Sequence, residues 1–273
     1  MRYYLLICLF FISLNSSATT DSDSIELFKN GVVFRPDSSE LLKAIVPGSI
    51  YFDLQNNSKI PDPFFSDNET KVKWVENVEW IYVDTFLLSA ERLNSQHIDL
   101  ILEGIDTYAE VILNDSSIAF CDNMFLEYSI DIKKYCRQRN ILKIRIKPVK
   151  QLTDSLSAKV PYKLPGGDRV FVRKAAFNFG WDFAPDLRAG GICKPVKVVF
   201  RNSPKLTDIH FIQKHLSQEI VNGQLEIKIL SDEKRELQLN LISQKAHLEL
   251  SKKINIEQGE NKVQLDFDVE NPA

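Results

Sequence analysis

The stretch Ile141–Val149, ILKIRIKPV, determines the fold class that the sequence predicts. Apolar and basic residues alternate along it: Leu142, Ile144 and Ile146 are apolar, and Lys143, Arg145 and Lys147 are basic. Because successive side chains of a β-strand point to opposite faces, this period of two predicts a strand with one buried and one solvated face.

Segments with the same period lie upstream of this stretch: YVDTFLL, HIDLILEGI and AEVILNDSSIAF. The last contains Asn114-Asp115 between two apolar runs, and Asx residues tolerate the backbone of a tight turn, so we expect a β-hairpin there. Short strands separated by turn residues at fairly regular spacing are typical of a β-sandwich or jelly roll.

The alternation restarts behind RNSPK, Arg201–Lys205, which reads as a domain boundary. The later apolar sets are Leu225, Ile227 and Ile229; Leu237, Leu239 and Leu241; and Val263, Leu265, Phe267 and Val269. We therefore predict one β-sandwich over residues 21–202 and a second over 203–273. About 70 residues is fewer than the ~100 of an immunoglobulin-like sandwich, so we expect the second domain to be incomplete.

The N-terminus has the three parts of a secretory signal peptide over residues 1–18. Arg2 precedes an apolar run, Leu5–Leu14, and small residues follow it, with cleavage expected after Ala18. An uncleaved anchor is the alternative, but the run is shorter than the roughly 20 residues that span a bilayer, so no membrane span is expected after cleavage. In a eukaryotic source the Asn-x-Ser/Thr triplets become candidate glycan acceptors: Asn56, Asn68 and Asn114.

Composition narrows the classes of partner and cofactor. Lys and Arg number 34 against 37 Asp and Glu, a net charge of −3, so the chain lacks the excess of basic residues that binds nucleic acid. Three cysteines remain after the signal peptide, so at most one internal disulfide is expected: Cys121, Cys136 and Cys193. The histidines show no metal-ligand spacing, and we predict neither a metal site nor a cofactor: His97, His210, His215 and His247.

Acidic residues offer no clear pair for acid/base chemistry on a glycosidic bond. Glu76 and Glu79, between Trp74 and Trp80, come nearest, and we interpret both as solvated loop charges.

The segment Val172–Val196, VRKAAFNFGWDFAPDLRAGGICKPV, combines aromatic, charged and turn-forming residues between ordinary strands. Trp181 can pack on the apolar face of a sugar ring, and the Asp182 carboxylate can accept hydrogen bonds from two hydroxyls. Arg173 and Lys174 can keep that carboxylate ionised or donate to hydroxyls themselves. The alternative is structural: a Trp that fills the sandwich and an Asp that caps a turn.

Part of this segment, FGWDFAPDLRAGGICKPV, resembles the Phe-Gly-Trp-Asp-Trp-Gly-Pro and Gly-Ile-Trp-Arg-Pro-Val motifs of β-mannosidases in glycoside hydrolase family 2. Four more blocks resemble the same N-terminal domain in the same order: VPGSIYFDL, IPDPFF, VKWVENVEWIY and LEGIDTYAEVILND. Together they cover most of residues 25–200. The sequence departs from the pattern where Phe183-Ala184 replaces Trp-Gly and Cys193-Lys194 replaces Trp-Arg.

The resemblance implies an all-β chain: a jelly-roll, galactose-binding-like β-sandwich followed by an incomplete immunoglobulin-like β-sandwich. In the family a (β/α)₈ barrel with two catalytic glutamates comes next. We therefore expect no catalytic residue in this chain, and we expect the chain alone to be inactive.

By the same resemblance, a Trp-Asp loop from this domain reaches over the mouth of the barrel and helps to form the terminal-sugar pocket. This predicts substrate contacts for Trp181 and Asp182, with Arg173 a further candidate.

The function implied is that of the N-terminal portion of an exo-acting, retaining β-mannosidase, which removes terminal non-reducing β-D-mannose from oligosaccharides and glycoproteins. Its expected partners are that β-mannoside substrate and the protein's own barrel. The expected location is the secretory pathway, lysosomal or extracellular, or periplasmic in a bacterium. The alternative is a secreted, non-catalytic carbohydrate-binding module or an inactive remnant.

Overall fold

A computed structural model describes residues 11–15, 23–202, 204–243 and 248–270. The chain divides into two compact units, a first that spans Ser22–Arg201 and a second formed by the described residues from Asn202 onward together with Phe11–Asn15. Most of the predicted signal peptide lies outside the described residues, except Phe11–Asn15, whose backbone forms a strand. The signal peptide therefore stays a prediction.

Strands dominate both units, which confirms the all-β fold class. In chain order they are β1 (Phe11–Asn15), β2 (Asp23–Glu26), β3 (Val32–Phe34), β4 (Leu42–Lys43), β5 (Trp80–Leu87), β6 (His97–Leu102), β7 (Ile105–Asp106), β8 (Ala109–Leu113), β9 (Ser116–Cys121), β10 (Tyr128–Asp131), β11 (Arg139–Ile146), β12 (Phe179–Trp181), β13 (Ala184–Asp186), β14 (Gly191–Ile192), β15 (Val196–Arg201), β16 (Lys205–Leu216), β17 (Ile220–Ser231), β18 (Arg235–Ser243), β19 (Leu248–Ile256) and β20 (Gly259–Glu270).

Short helices connect the strands of the first unit. The α-helices are α1 (Ile50–Asn56), α2 (Asn68–Lys71), α3 (Ala90–Leu93) and α4 (Val149–Ser157). The 3₁₀ helices are Lys73–Asn77, Lys133–Tyr135, Gly167–Phe171 and Ala176–Asn178. None of the described helices is both long enough and apolar enough to cross a membrane.

The first unit is a β-sandwich of two antiparallel sheets. One sheet has six strands in the order β4-β3-β5-β11-β8-β9, and the other has four in the order β10-β6-β15-β2. Their inner faces share one apolar core, to which both sheets contribute: Val33, Tyr82, Leu100, Ile144 and Val198. The core is as alternation predicts, since each strand turns every second side chain inward.

Strand β11 lies at the centre of the six-stranded sheet and follows the predicted pattern. Leu142, Ile144 and Ile146 are buried, whereas Lys143 and Arg145 are partly exposed on the opposite face. The hairpin predicted at Asn114-Asp115 also forms, between β8 and β9. Both turn residues have positive φ, +49° and +67°, which matches the right-handed twist of the paired strands.

The second unit contains two antiparallel sheets, in the orders β16-β17-β20 and β1-β18-β19. The apolar sets that alternation singled out lie in one buried cluster: Leu225, Ile227 and Ile229 of β17; Leu237, Leu239 and Leu241 of β18; and Leu265, Phe267 and Val269 of β20. Val263 is partly buried against that cluster. The backbone of β1 pairs with β18, with Ile12 opposite Leu241 and Leu14 opposite Leu239.

A buried carboxylate fixes α1 to the first sandwich. Asp53 accepts a hydrogen bond from the backbone N–H of Ile45 at 2.7 Å and another from the hydroxyl of Tyr82 at 2.5 Å. Burial raises the pKa of Asp53 to about 6, although both hydrogen bonds oppose that shift. The helix that carries Asp53 begins at Ser49, whose Oγ accepts the N–H of Phe52 at 3.4 Å.

This raised pKa predicts that the first unit becomes less stable as pH rises through about 6. The folded state holds the Asp53 proton more tightly than the unfolded chain, whose carboxyl has a pKa of about 3.9. The stabilisation is therefore complete below about pH 4 and lost above pH 6. Between pH 4.5 and 7.5 we expect Asp53 to remove about 2 kcal/mol from the free energy of unfolding. In thermal unfolding at several pH values, Asp53→Asn should reduce this dependence of stability on pH.

Asp37→Asn is the control, because Asp37 is exposed and its hydrogen bond with Arg35 lowers its pKa. Protonation of Asp37 affects stability only below pH 4. The change of stability with pH between 4.5 and 7.5 should therefore match the wild type in this variant. An unchanged slope in Asp53→Asn would contradict the assignment.

Candidate functional site

The predicted Trp-Asp segment forms a short hairpin that stands out from the first sandwich. Strand β12 pairs with β13, with Phe179 opposite Asp186 and Trp181 opposite Ala184. Its tip is solvent-exposed: 55% of Trp181 and 88% of Phe183 are accessible, and Asp182 is exposed between them. Gly180 has φ +87°, a left-handed conformation that suits glycine at this bend.

The exposure of the tip bears on the structural alternative. Trp181 does not fill the sandwich core, since more than half of its surface is accessible. Among the described residues, the Asp182 carboxylate makes no hydrogen bond or ion pair that would cap the turn. The aromatic face and the carboxylate are therefore both free to meet a ligand.

The two basic residues upstream of the hairpin have different environments. Arg173 is exposed, and within the described part of the chain no ion pair joins it to Asp182. Its carbonyl accepts the N–H of Met124 at 3.0 Å, so its backbone is held while its side chain is free. The expected role of Lys174 beside Asp182 or a sugar hydroxyl is wrong, because Lys174 is only 4% exposed and forms an ion pair with Asp106 instead.

The Lys174–Asp106 pair anchors the segment that enters the hairpin. Lys174 Nζ donates to one carboxylate oxygen of Asp106, and the Thr107 hydroxyl donates to the other. Burial lowers the pKa of Lys174, and the Asp106 carboxylate opposes this shift. The pair attaches the segment to the end of β7, which pairs with β14.

A cluster of six charged side chains anchors the segment that leaves the hairpin: Glu69, Lys73, Glu76, Asp168, Asp186 and Arg188. We call it the base cluster. Arg188 donates to Asp186 from Nε at 2.7 Å and from Nη2 at 2.8 Å, and to Asp168 from Nη1 at 3.0 Å. Lys73 Nζ lies 3.2 Å from the Asp186 carboxylate. Burial alone would raise the pKa of Asp186, but hydrogen bonds from Arg188 and Lys73 outweigh it and lower that pKa.

Two glycines let the chain return to the sandwich behind this cluster. A Cβ on Gly190 would lie 1.6 Å from the carbonyl oxygen of Asp106, and one on Gly191 would lie 2.6 Å from the Cα of Ser49. Only glycine fits this close backbone approach.

Glu76 and Glu79, which come nearest to an acid/base pair for glycosidic chemistry, both form ion pairs. Glu76 is buried, accepts the backbone N–H of Arg188 at 3.3 Å and lies 3.8 Å from Lys73, so its interpretation as a solvated loop charge is wrong. Glu79 is partly exposed and pairs with Arg145 at 3.2 Å. Both carboxylates therefore serve structure in this unit.

The described cysteines offer no reactive thiolate, and the described residues offer no metal site. The three described cysteines are free, and burial raises the pKa of Cys121 to about 12 and that of Cys136 to about 11, which keeps both thiols protonated. No group of three or more His, Cys, Asp or Glu in the described ranges could hold a metal ion.

The three predicted glycan acceptors differ in accessibility. Asn56 is exposed at the end of α1. Asn68 is only 8% exposed and its amide donates to the carbonyl of Asp62 at 2.9 Å. The Asn114 amide donates to the carbonyl of Tyr135 and the side chain of Asn140. Glycosylation stays a prediction, and Asn56 offers the most accessible amide.

An apolar cavity of about 390 Å³ opens at the base of the hairpin. Its aromatic walls are Phe52 of α1, Phe64 and Phe177, and all three rings are largely exposed. Pro185 and Leu187, from the segment that leaves the hairpin, complete the lining. The first unit therefore presents aromatic surface both at the hairpin tip and beside its base.

Comparison with known proteins gives a consistent result. Residues 31–194 match the family described as glycosyl hydrolase 2 galactose-binding domain-like. The chain is 32% identical to the β-mannosidase of Rattus norvegicus over 187 residues, 64% of this chain and 21% of that protein. It is also 32% identical to β-mannosidase B of Thermothelomyces thermophilus, over 64% of this chain and 21% of that protein.

Solved structures extend the similarity beyond the matched domain. The β-D-mannosidase of Dictyoglomus thermophilum superposes with a TM-score of 0.84 at 31% identity, covering 91% of this chain and 31% of that one. An exo-chitosanase from Amycolatopsis orientalis shares the fold at 16% identity, with a TM-score of 0.67 over 92% of this chain and 29% of that one. The chain spans about a fifth of the length of the curated relatives it matches.

The buried anchor predicts a large stability loss when its cation is removed. Lys174→Met leaves the Asp106 carboxylate buried without its partner, which costs about 3–5 kcal/mol in comparable pairs. We expect the melting temperature of the first unit to fall by roughly 10 °C. Lys197→Met is the matched control, because it breaks the more exposed pair of Lys197 with Glu103 at 2.5 Å. The control should cost less than about 1 kcal/mol. Equal melting temperatures for the two variants would contradict the anchoring role.

Proposed function

Because this chain belongs to the glycosyl hydrolase 2 galactose-binding domain-like family, we propose that it is the N-terminal portion of an exo-acting, retaining β-mannosidase. Its relatives at 31–33% identity bear the name β-mannosidase in mammals and fungi. The substrate class proposed is oligosaccharides and glycoproteins that end in non-reducing β-D-mannose. The predicted signal peptide supports a place in the secretory pathway, lysosomal or extracellular.

The observation that carries the proposal is the exposed Trp181-Asp182 tip on a hairpin anchored at both ends. Trp181 offers a flat apolar face for the C–H side of a pyranose, and Asp182 offers a carboxylate with no competing partner among the described residues. A charged acceptor that lacks a protein partner exchanges only its bonds to water for the two sugar hydroxyls and breaks no hydrogen bond within the protein. We assign Trp181 and Asp182 to the recognition of the terminal sugar.

Arg173 is the weaker member of the proposed site. Its side chain is exposed and its backbone is fixed beside Met124, which leaves the guanidinium available to donate to a sugar hydroxyl. No contact ties it to the tip, so its assignment depends on the geometry of the bound sugar.

Hydrolysis itself is proposed to belong to a catalytic barrel outside this chain. The exposed rings of Phe52, Phe64 and Phe177 support a docking role for the first unit, because large apolar patches on soluble proteins mark interaction surfaces. In this arrangement the domain supports the barrel and extends the Trp-Asp hairpin to its sugar pocket.

A non-catalytic carbohydrate-binding module, or an inactive remnant, is the second candidate. The carboxylates nearest to the hairpin base, Glu69, Glu76 and Asp186, form ion pairs with Lys73 and Arg188, which both candidates require of this chain. A module would bind mannosides by the same tip without hydrolysing them, so catalytic assays separate the two candidates.

The sugar-contact assignment predicts different effects on kinetics and stability in the full-length protein. Asp182→Asn keeps the shape and removes the charge, so it should weaken substrate or transition-state binding by about 1.5–3 kcal/mol. Trp181→Phe should also lower kcat/KM, because it reduces stacking area and removes the indole N–H. Neither change should alter the melting temperature by more than a degree or two, since both side chains are exposed.

Both quantities are to be measured on the same preparations with a chromogenic β-mannoside. Phe120→Leu serves as a control, because it removes another exposed ring, on the edge strand β9 of the six-stranded sheet. Loss of stability with unchanged kcat/KM in either tip variant would contradict the sugar-contact assignment.

The 273-residue chain alone is expected not to hydrolyse the same substrate. Retention needs two carboxyl groups about 5–5.5 Å apart, one of them with a raised pKa. In the carboxylate cluster beside the hairpin the pKa of Asp186 is lowered instead, which is unsuited to an acid. Turnover by the purified chain, retained through two further chromatographic steps, would contradict the placement of catalysis outside it.

A further inference from the structure

We infer that Arg188 and Lys73 are positioning residues: by holding the base of the β12–β13 hairpin, they orient Trp181 and Asp182. The inference rests on the proposed function in one respect only, namely that this orientation serves sugar binding. The geometric part concerns the hairpin itself and is independent of any substrate.

Asp186, the last residue of β13, is held at every polar group. Its N–H donates to Glu69 Oε1 at 3.1 Å, and its carbonyl accepts from Lys73 Nζ. Its carboxylate receives the two parallel bonds from Arg188 and also lies beside Lys73. These contacts hold both the backbone and the carboxylate of Asp186 in place.

Arg188 connects the two strands of the hairpin as well as the surrounding helices. Its guanidinium lies 5.1 Å from the centroid of the Phe179 ring, on β12, while it binds Asp186 on β13. Its third contact, to Asp168, reaches the 3₁₀ helix Gly167–Phe171. Because Phe179 and Asp186 are the facing pair at the base, this one side chain fixes the plane of the hairpin.

Lys73 connects the hairpin to the helical segment that precedes β5. Glu69 lies on α2, Lys73 and Glu76 lie on the 3₁₀ helix that follows it, and all three contact the segment that leaves the hairpin. These three residues therefore hold β13 and the segment after it against the helical segment, while Arg188 joins β13 to β12.

The tip is mostly exposed, so its own packing contributes little to its orientation. Only two residue pairs join β12 to β13, and an isolated two-stranded ribbon is marginal in water. Trp181, Asp182 and Phe183 are all exposed, so the direction in which they point is decided at the base. A misplacement of about 1 Å at a binding group costs on the order of 100-fold in rate.

The test uses Arg188→Gln in the 273-residue chain. We expect the amides of Phe179–Asp186 to exchange with deuterium about tenfold faster, because charge-assisted hydrogen bonds at the base are lost. With 5-fluorotryptophan, the fluorine resonance of Trp181 should shift or sharpen as the tip gains mobility. Trp80 in the buried core reports on global folding and should keep its resonance.

Arg92→Gln is the matched control. Arg92 binds Asp23 through the same two-bond geometry, at 2.6 and 2.9 Å, and its guanidinium lies 5.2 Å from the Phe200 ring. It makes these contacts on α3, away from the hairpin, so the hairpin amides should exchange as in the wild type.

Two further variants keep the inference testable. Lys73→Gln removes the contacts of Lys73 with Asp186. Because Lys73 is partly exposed, this variant should loosen the hairpin even if Arg188→Gln fails to fold. Arg188→Lys keeps the charge without the planar fork and should restore only part of the protection. Wild-type exchange of Phe179–Asp186 in folded Arg188→Gln or Lys73→Gln would overturn the inference.

Kinetics of the full-length protein separate this inference from the proposed function. If Asp182→Asn leaves kcat/KM unchanged while Arg188→Gln loosens the hairpin, the sugar-contact function fails and the positioning of the tip stands. If Asp182→Asn lowers kcat/KM while Arg188→Gln leaves both exchange and kcat/KM unchanged, the positioning role is wrong. When both hold, Arg188→Gln should lower kcat/KM with the melting temperature nearly unchanged.

Discussion

The buried ion pair between Lys174 and Asp106 is the interaction on which the geometry of the site depends. Neither charge is tolerated alone in an apolar interior, because the desolvation of an unpaired ion costs several kcal/mol. The chain can bury Lys174 only where Asp106 already lies, at the end of β7. This requirement fixes one point of an otherwise irregular segment against a rigid sandwich, and the hairpin begins a few residues later.

Two kinds of interaction hold the two ends of the hairpin, a buried ion pair at one end and a partly solvated cluster of charges at the other. The Lys174–Asp106 pair is largely buried, so salt screens it only weakly and its loss costs folding free energy. The base cluster at Asp186 and Arg188 is partly solvated, so each ion pair in it contributes less to the free energy of folding. A site built this way separates the contacts that keep the unit folded from those that aim its tip.

Local patterns predicted the strands, and long-range contacts determined the rest. Alternation in β11 and the Asn114-Asp115 turn are encoded within a few residues, so the sequence was sufficient for them. The role first given to Lys174 was wrong, since its partner lies 68 residues away and no local signal connects them. Lys73 and Asp186 are 113 residues apart, which also explains why the base cluster was not foreseen. Residue type singled out Trp181 and Asp182 but left their structural alternative open, since burial or exposure of a Trp depends on contacts that the local sequence does not encode. The resemblance to β-mannosidases supplied their expected role, and the exposure of the tip is visible only in the structure.

The departures from the β-mannosidase pattern fall at positions with unequal structural weight. Phe183, which replaces Trp, is the most exposed residue of the tip and contributes little to folding, so this change acts on contacts with whatever the tip meets. Cys193 instead lies against Gly104, to whose carbonyl its thiol donates at 3.3 Å, so a larger ring there would need the loop to move. A change at Phe183 can therefore alter ligand contacts without disturbing the fold, whereas a change at Cys193 also affects the packing of β14. Under the proposed function, divergence in sugar recognition should therefore appear at Phe183 and Ala184 before it appears anywhere in the sandwich that carries them.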